Sequence, residues 1–349
     1  MRSYQGNIPR LHEPRGKKTR RKGRLVAMAL LTPALLLAVL WGAAAIWFDG
    51  PASRGMAGFL AALLTLGCAV VLLRVRPFRR AVLAVLAVFG VVLAWWLTIP
   101  PSNTRPWLPD VARTASAIIS GSRVTIHNVR NFDYRSETDY TERWETRAYD
   151  LDKLRGVDLF LSYWGPTLIA HTIASWEFAD GSHLAISIET RKEKGEDYSA
   201  VKGFFRQYEL YYVVADERDL VRLRTNYRGE RVYLYRMKIP AEMARKLLLD
   251  YLAEINRLAE KPRWYNALTH NCTTAIRYHM KNLGRAGKFD WRILANGRVD
   301  ELLYLRGSTD RSIPYPEFRK RSEITERAKA ADHDRNFSAL IREGLPGER

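Results

Sequence analysis

Three apolar segments near the N-terminus constrain the fold of this chain more than any other feature. Segments 25–48, 56–73 and 81–99 contain no Asp, Glu, Lys, Arg or His. At 1.5 Å of rise per residue, each is about long enough to cross the roughly 30 Å hydrocarbon core of a bilayer as a helix. The sequence therefore predicts a three-helix membrane anchor over residues 25–99. The lack of ionisable side chains favours an anchor over an ion or proton path.

The distribution of positive charge predicts how the anchor is oriented. The chain carries a formal net charge of +19. Much of this excess lies in residues 1–24 and in the stretch 74–80, beside the apolar segments. Cytoplasmic loops carry such an excess of Lys and Arg, so residues 1–24 are predicted to be cytoplasmic and the chain after residue 99 extracytoplasmic. Nucleic-acid binding is not expected, because no groove-reading motif accompanies the charge.

The remaining residues predict one folded α+β domain. Residues 100–119 have the prolines of a linker, residues 120–307 have the apolar content of a domain, and the polar residues 308–349 predict a disordered tail, with a short docking helix near residues 337–341. We expect an antiparallel sheet packed on helices over residues 241–260 and 272–282. Predicted strands cover residues 123–134, 156–164, 167–178, 182–190, 204–215 and 231–239.

A hairpin between two of these strands sets the relative position of several polar side chains. If Ala179, Asp180 and Gly181 form a three-residue turn, Glu189 lies opposite His171. A two-residue Asp180-Gly181 turn would instead place Thr190 opposite His171, with Glu189 on the other face. The turn therefore decides which side chain is able to orient the imidazole.

Cys272 is the candidate nucleophile. The chain has two cysteines, Cys68 in the second apolar segment and Cys272 in the domain, so a disulfide framework is excluded. Asn271 is a good helix N-cap, which places Cys272 at the first helical position, where the helix dipole favours a thiolate. The competing interpretation is that Cys272 is a small buried core residue.

A thiolate nucleophile needs a proton carrier, and His171 is the best candidate upstream of Cys272. The third group is Glu189 if the three-residue turn forms, with His183 and Ser187 as alternates of the same strand parity. The competing interpretation of His171 is a strand histidine that only satisfies buried partners. A zinc site from His270, Cys272 and His279 is disfavoured because it lacks a fourth ligand at suitable spacing, and no metal or cofactor is expected.

Three ordered blocks resemble a known family. These blocks are residues 170–181 with 187–191, residues 205–226, and residues 265–274, which end in His-Asn-Cys-Thr-Thr. Together they resemble the Lnb-type N-terminal periplasmic domain, a family named for a bacterial lipoprotein N-acyltransferase. The resemblance spans about residues 120–285. It implies a permuted papain-like fold in which the histidine strand precedes the cysteine helix.

The resemblance also implies a chemistry. Cys272 would form an acyl thioester, His171 would act as the base, and Ser187, Glu189 and Arg191 would support them. The backbone amide of Cys272 is a candidate donor to the oxyanion. The implied reaction is acyl transfer from a phospholipid or a lipoprotein to a lipoprotein's N-terminal amine, at the bacterial inner membrane. The membrane helices here precede the domain, unlike in the family's namesake. Because of this difference in architecture, the resemblance says less about the substrate than about the thiol chemistry.

Three functions are therefore in competition. The first is a membrane-anchored periplasmic thiol acyltransferase or hydrolase acting on lipid-linked substrates. The second is a papain-like cell-wall amidase or peptidase. The third is a non-catalytic, membrane-anchored binding module.

Overall fold

Two compact units make up the chain, divided between residues 99 and 100. The structure is a computed structural model that describes residues 15–50, 53–267, 269, 272–284 and 287–347, with side chains described from residue 28 onward. Each unit is built on its own pattern of apolar residues, so each is described by itself.

The described part of the N-terminal unit consists of three helices with long apolar stretches. They are α1 (Arg15–Asp49), α2 (Arg54–Arg74) and α3 (Phe78–Thr98). Each contains a stretch long and apolar enough to cross a membrane: Met28–Asp49, Arg54–Arg74 and Phe78–Thr98. Leu35, Val39, Cys68 and Val85 pack against one another between the helices. The three predicted apolar helices are therefore confirmed, and each is a candidate membrane span.

The second unit is an α+β domain, as predicted. Its strands are β1 (Ser116–Ser120), β2 (Arg123–Arg130), β3 (Asp133–Tyr134), β4 (Tyr140–Thr141), β5 (Trp144–Asp150), β6 (Leu154–Tyr163), β7 (His171–Phe178), β8 (His183–Arg191), β9 (Glu209–Ala215) and β10 (Arg231–Arg236). Its helices are α4 (Glu217–Arg222), α5 (Ala241–Glu260), α6 (Cys272–Asn282), α7 (Val299–Leu305), α8 (Tyr315–Arg321), α9 (Thr325–Ala330) and α10 (Phe337–Leu340).

Eight strands of the described chain form one sheet in the order β1-β2-β9-β8-β7-β6-β10, with β5 also paired to β2. The pairs are antiparallel except for β2 and β9, which run parallel through the Arg130–Ala215 pair. The expected antiparallel sheet is therefore a mixed one. The papain-like permutation stays a prediction.

Helices cover both faces of this sheet, because each face carries its own set of buried apolar side chains. On one face, α5 and α6 pack against strand residues such as Trp176 and Ile186. On the other face, Ile173 and Val213 pack against Leu220 of α4 and Phe337 of α10. The strands at the centre of the sheet are thus shielded from water on both sides.

The hairpin of β7 and β8 has the register predicted from a three-residue turn. Ile173 pairs with Ser187, and Glu177 pairs with His183. The Phe178 amide donates to the Ser182 carbonyl at 3.0 Å, which closes the turn. Gly181 has φ +81°, a left-handed conformation that glycine adopts without strain.

Residues 308–349 correct the predicted disordered tail. The described part of this segment, up to residue 347, forms α8, α9 and α10 and packs on the sheet, with Phe318, Ile324, Phe337 and Ile341 almost fully buried. Its few apolar residues are spaced so that nearly all of them reach the core, which an average composition conceals. The short docking helix expected near residues 337–341 is present as α10.

Residues 100–119 also differ from the linker expected there. The Ser102 amide donates to the Glu209 carboxylate at 3.0 Å, and the Asn103 amide group donates to the Leu258 carbonyl at 2.9 Å. Trp107 is buried in the domain core. The segment is therefore part of the domain.

Candidate functional site

Cys272 is the first residue of α6, as predicted. Thr273 and Ala275, on the first turn, are buried and hold the helix against the sheet. The thiol is partly buried, and its sulfur lies 3.8 Å from the Thr273 hydroxyl oxygen. The predicted N-cap, Asn271, lies outside the described residues.

His171 is the first residue of β7, and its ring meets two side chains of β8. Its Nε2 atom lies 2.6 Å from the Ser187 hydroxyl oxygen and 3.2 Å from a carboxylate oxygen of Glu189. The Ser187 hydroxyl donates to the same Glu189 oxygen at 2.7 Å. Since the Ser187 proton points to Glu189, the Ser187 oxygen accepts from the imidazole. The hairpin thus brings together three predicted site residues.

Arg224 is a further member of this cluster that the sequence analysis did not identify. Its guanidinium donates to Glu189 at 2.7 Å and to Glu230 at 3.2 Å. Only 6% of its side chain is exposed, so the two carboxylates compensate a buried charge. The one available signal was its place in the second block of the family resemblance, at residues 205–226.

The pKa of the Cys272 thiol is lowered and the pKa of the His171 imidazole is raised, and both shifts favour an ion pair. Burial disfavours the charged imidazole, but the Glu189 carboxylate and hydrogen bonds with Cys272 and Glu189 outweigh it and raise the pKa of His171 to about 9. Burial likewise disfavours the thiolate, but hydrogen bonding to His171 and its positive charge lower the pKa of Cys272 to about 6. Both shifts favour the thiolate and the imidazolium between these values.

The Glu189 carboxylate remains charged in this environment. Burial would raise its pKa, but the positive charges of His171 and Arg224 and the hydrogen bonds from His171 and Ser187 hold it well below its usual range. Glu189 therefore stabilises the imidazolium as an anion across the neutral range.

Asn296 connects the cysteine helix to the histidine strand. Its side-chain amide accepts from the Ala170 amide at 2.9 Å and donates to the Ala170 carbonyl at 2.6 Å. The same nitrogen donates to the Thr273 hydroxyl at 2.5 Å and lies 3.9 Å from the Cys272 sulfur. This one side chain therefore touches the residues that adjoin both members of the candidate pair. Only the Asn-Gly turn signal at 296–297 marked this position in the sequence.

The candidate pair opens into a cavity of about 600 Å³. Cys272, His171, Glu189 and Arg224 all line it. Exposed apolar side chains line it as well, namely Trp164, Ile169, Tyr198, Phe204 and Leu294. A cavity of this size with a partly apolar lining is able to hold a substrate that has an apolar portion.

Two of the predicted supporting residues lie elsewhere. Arg191 is 1% exposed, stacks over Trp107 at 4.4 Å and donates to the Val111 carbonyl at 2.9 Å, so it holds the N-terminal segment of the domain. His183 is at the other end of the hairpin, where its Nδ1 lies 3.0 Å from the Gly181 carbonyl oxygen. Neither side chain contacts the candidate pair.

A run of basic residues in a sequence is most simply a solvated face, but for Arg191, Arg222 and Arg224 that interpretation is wrong. Arg191, Arg222 and Arg224 are all buried. Arg222 donates to Asp133 at 2.7 Å, as Arg224 does to Glu189. Spacing along the chain does not reveal such partners, because they come from distant strands and loops.

Among the described residues, no group of three or more His, Cys, Asp or Glu side chains is arranged to hold a metal ion. His279, one of the weighed zinc ligands, is buried with Nδ1 2.7 Å from Asp250 and Nε2 2.8 Å from the Tyr212 hydroxyl. His270, another of them, lies outside the described residues.

The three apolar helices and the α+β domain define a protein with a candidate membrane anchor and a separately folded domain. More particularly, residues 140–297 match the family described as the Lnb N-terminal periplasmic domain. The matched stretch contains His171, Glu189, Arg224, Cys272 and Asn296. The resemblance stated from the sequence is confirmed. Comparisons with curated proteins and with solved structures gave no match.

Proposed function

We propose that this protein is a membrane-anchored thiol acyltransferase or hydrolase that acts on lipid-linked substrates. Cys272 is the nucleophile and His171 is the proton carrier. The observation that carries the proposal is the pairing, inside one cavity, of a thiol whose pKa is lowered to about 6 with an imidazole whose pKa is raised to about 9. Such shifts are typical of thiol nucleophiles.

The first half-reaction would proceed as follows. The Cys272 thiolate attacks the carbonyl carbon of an acyl ester and forms a tetrahedral oxyanion. The backbone amide of Cys272, at the N-terminus of α6, is the candidate donor to that oxyanion. The C–O bond then breaks, the leaving alkoxide takes a proton from the His171 imidazolium, and the acyl group remains on the sulfur as a thioester.

The second half-reaction returns the enzyme to its starting state. An amine attacks the thioester carbonyl, neutral His171 accepts the amine proton, and the thiolate leaves. The product is an amide, and the thiolate–imidazolium pair is restored. If water attacks instead, a fatty acid is released, so transfer and hydrolysis differ only in the acceptor.

Ser187, Glu189 and Arg224 would act through His171. They hold one edge of the imidazole by the contacts at 2.6 Å and 3.2 Å, and Arg224 fixes the Glu189 carboxylate. The anionic Glu189 favours the imidazolium that donates to the leaving group. These are positioning residues, because the reacting carbonyl contacts only Cys272 and its proton carrier.

A lipid-linked substrate and a periplasmic location on the inner membrane complete the proposal. The family takes its name from a lipoprotein N-acyltransferase, so the proposed donor is a phospholipid or a lipoprotein and the proposed acceptor a lipoprotein amine. The cations at Arg74, Arg76, Arg79 and Arg80 support a cytoplasmic loop between the second and third helices, with the N-terminus cytoplasmic and the domain on the opposite side.

Intact-mass spectrometry of an acylated intermediate tests this function. Full-length protein in detergent would be incubated with phosphatidylglycerol or with a diacylated lipopeptide, and then treated with hydroxylamine, which cleaves thioesters. We expect an acyl mass on wild type and on Cys68→Ala, removed by hydroxylamine, and none on Cys272→Ala. An adduct that persists in Cys272→Ala contradicts the proposal. If neither donor gives an adduct, the cell-wall amidase or peptidase and the non-catalytic binding module are the functions that remain.

A further inference from the structure

The exposed apolar side chains of the domain are concentrated around the mouth of the Cys272 cavity. In the described part of the domain, nine of the thirteen exposed large apolar side chains lie in three short loops, residues 164–169, 198–204 and 287–294. Together these three segments are the mouth loops. Trp164 and Phe289 are exposed by 55% and 63%, which is costly in water unless something covers them.

The mouth loops adjoin one another and the cavity. The Gly297 amide, just beyond the third loop, donates to the Leu168 carbonyl of the first loop at 3.0 Å. The Gly203 carbonyl of the second loop accepts from the Ala267 amide at 2.8 Å, on the segment that leads to α6. Side chains from all three loops line the cavity beside Cys272. The exposed apolar surface is therefore continuous with the candidate site.

The composition of the mouth loops fits a lipid–water interface. Trp, Tyr and Phe, which prefer that interface, account for five of the nine exposed apolar residues. The charges in the loops are Lys202, Lys288, Arg292 and Asp290, and Asp290 is paired with Arg292 at 2.9 Å. The remaining lysines complement anionic lipid head groups.

The surface of the mouth loops is most simply covered by a bilayer, because the same chain carries three candidate membrane helices. The domain follows α3 closely in sequence, since three residues separate Thr98 from Ser102, whose amide already bonds to Glu209. We propose that the mouth loops insert into the leaflet of the membrane that carries the anchor, so that the cavity receives acyl chains directly from the bilayer. That the cavity receives acyl chains rests on the proposed function, whereas the insertion of the loops does not.

Site-specific fluorescence tests the insertion in the full-length protein. The environment-sensitive dye NBD would be attached to Val201→Cys or Phe289→Cys in a Cys68→Ala, Cys272→Ala background. The protein would be reconstituted in phosphatidylethanolamine–phosphatidylglycerol vesicles. Ile118→Cys is the matched control, because Ile118 is 62% exposed and lies on β1, outside the cavity lining. Quenchers would be a doxyl-labelled lipid and aqueous iodide.

We expect blue-shifted emission, loss of emission with the doxyl lipid and protection from iodide at positions 201 and 289, with the reverse at 118. Equal iodide quenching at all three positions would overturn the proposal. Protection from both quenchers at 201 and 289 would also overturn it, since a protein partner or a second copy of the chain would then cover the loops.

A charge substitution gives the functional measurement. Phe289→Glu should lower acylation of Cys272 from vesicle-borne phospholipid by about tenfold, because a carboxylate opposes insertion. It should leave alkylation of Cys272 by a soluble reagent unchanged, and Ile118→Glu should change neither. If the dyes report insertion but wild type forms no acyl adduct, the proposed function fails and the docking surface stands.

Discussion

The imidazole of His171 and the carboxylate of Glu189 lie 3.2 Å apart across the β7–β8 hairpin. The register of the two strands places these side chains next to each other. The Arg224 guanidinium then fixes the Glu189 carboxylate with a hydrogen bond of 2.7 Å. The charge of Glu189 is one of the causes that raise the pKa of His171 to about 9. This carboxylate therefore sets the pH range over which His171 carries a proton to donate.

Glu189→Gln should lower the acyl-transfer rate by roughly 10- to 100-fold, less than the loss of general acid–base catalysis itself. Without the carboxylate, the pKa of His171 falls. The imidazolium is then lost at lower pH, and the alkaline limb of the pH–rate profile moves to lower pH. A pH profile measured with one lipid donor would show this shift. Glu326→Gln, at an exposed position of α9, should leave the profile unchanged. An unshifted alkaline limb in Glu189→Gln would rule out the role given to Glu189.

Gly297 is the point at which the loop after α6 meets the strand that carries His171. A Cβ atom there would lie 2.1 Å from the Thr167 carbonyl oxygen, which is backbone and cannot rotate away. Gly297→Ala should therefore destabilise the domain by about 1–3 kcal/mol and disturb the Asn296 contacts. Gly165→Ala is the control, because a Cβ there meets nothing within 4 Å. Thermal unfolding of both variants in detergent would test this, and equal melting temperatures would contradict the close approach.

Arg342, near the end of the chain, fastens the C-terminal segment to the core. Its guanidinium donates to Asp158 at 3.0 Å and to Glu217 at 2.7 Å, and both carboxylates are fully buried. Arg342→Ala removes the guanidinium that donates to these two buried carboxylates and should cost about 3–5 kcal/mol of unfolding free energy. The exposed Arg335→Ala should cost little. Chemical denaturation of the full-length protein would measure the difference. An unchanged unfolding free energy in Arg342→Ala would contradict the fastening role given to Arg342.

The hairpin and the cysteine helix could be predicted from the sequence because local rules decide them. The turn at Gly181 fixes the register between His171 and Glu189, since a strand alternates its faces every residue. The start of α6 at Cys272 follows from helix-start signals. In both cases the informative residues belong to one local element, a single hairpin or a single helix start.

The remainder of the site depends on long-range docking that local patterns do not encode. Asn296 is brought to Ala170 and Thr273 by a loop that packs on the start of β7. Arg224 is read from sequence as a surface cation, but Glu189 and Glu230 pair with it in the interior. The polar average of the C-terminal segment predicts a disordered tail, although its few apolar residues, such as Phe337, are buried.

The most direct measurement of the central claim is the rate of Cys272 alkylation across pH. It would be followed by intact mass on full-length Cys68→Ala protein in detergent. Because the thiolate is the reactive form and the pKa of Cys272 is lowered to about 6, the rate should rise through pH 6 and level off below pH 8. In His171→Ala the rise should move toward the ordinary thiol range, about pH 8.5. A rate in the unaltered site that rises only near pH 8.5, or that His171→Ala leaves unchanged, would contradict the thiolate–imidazolium pair.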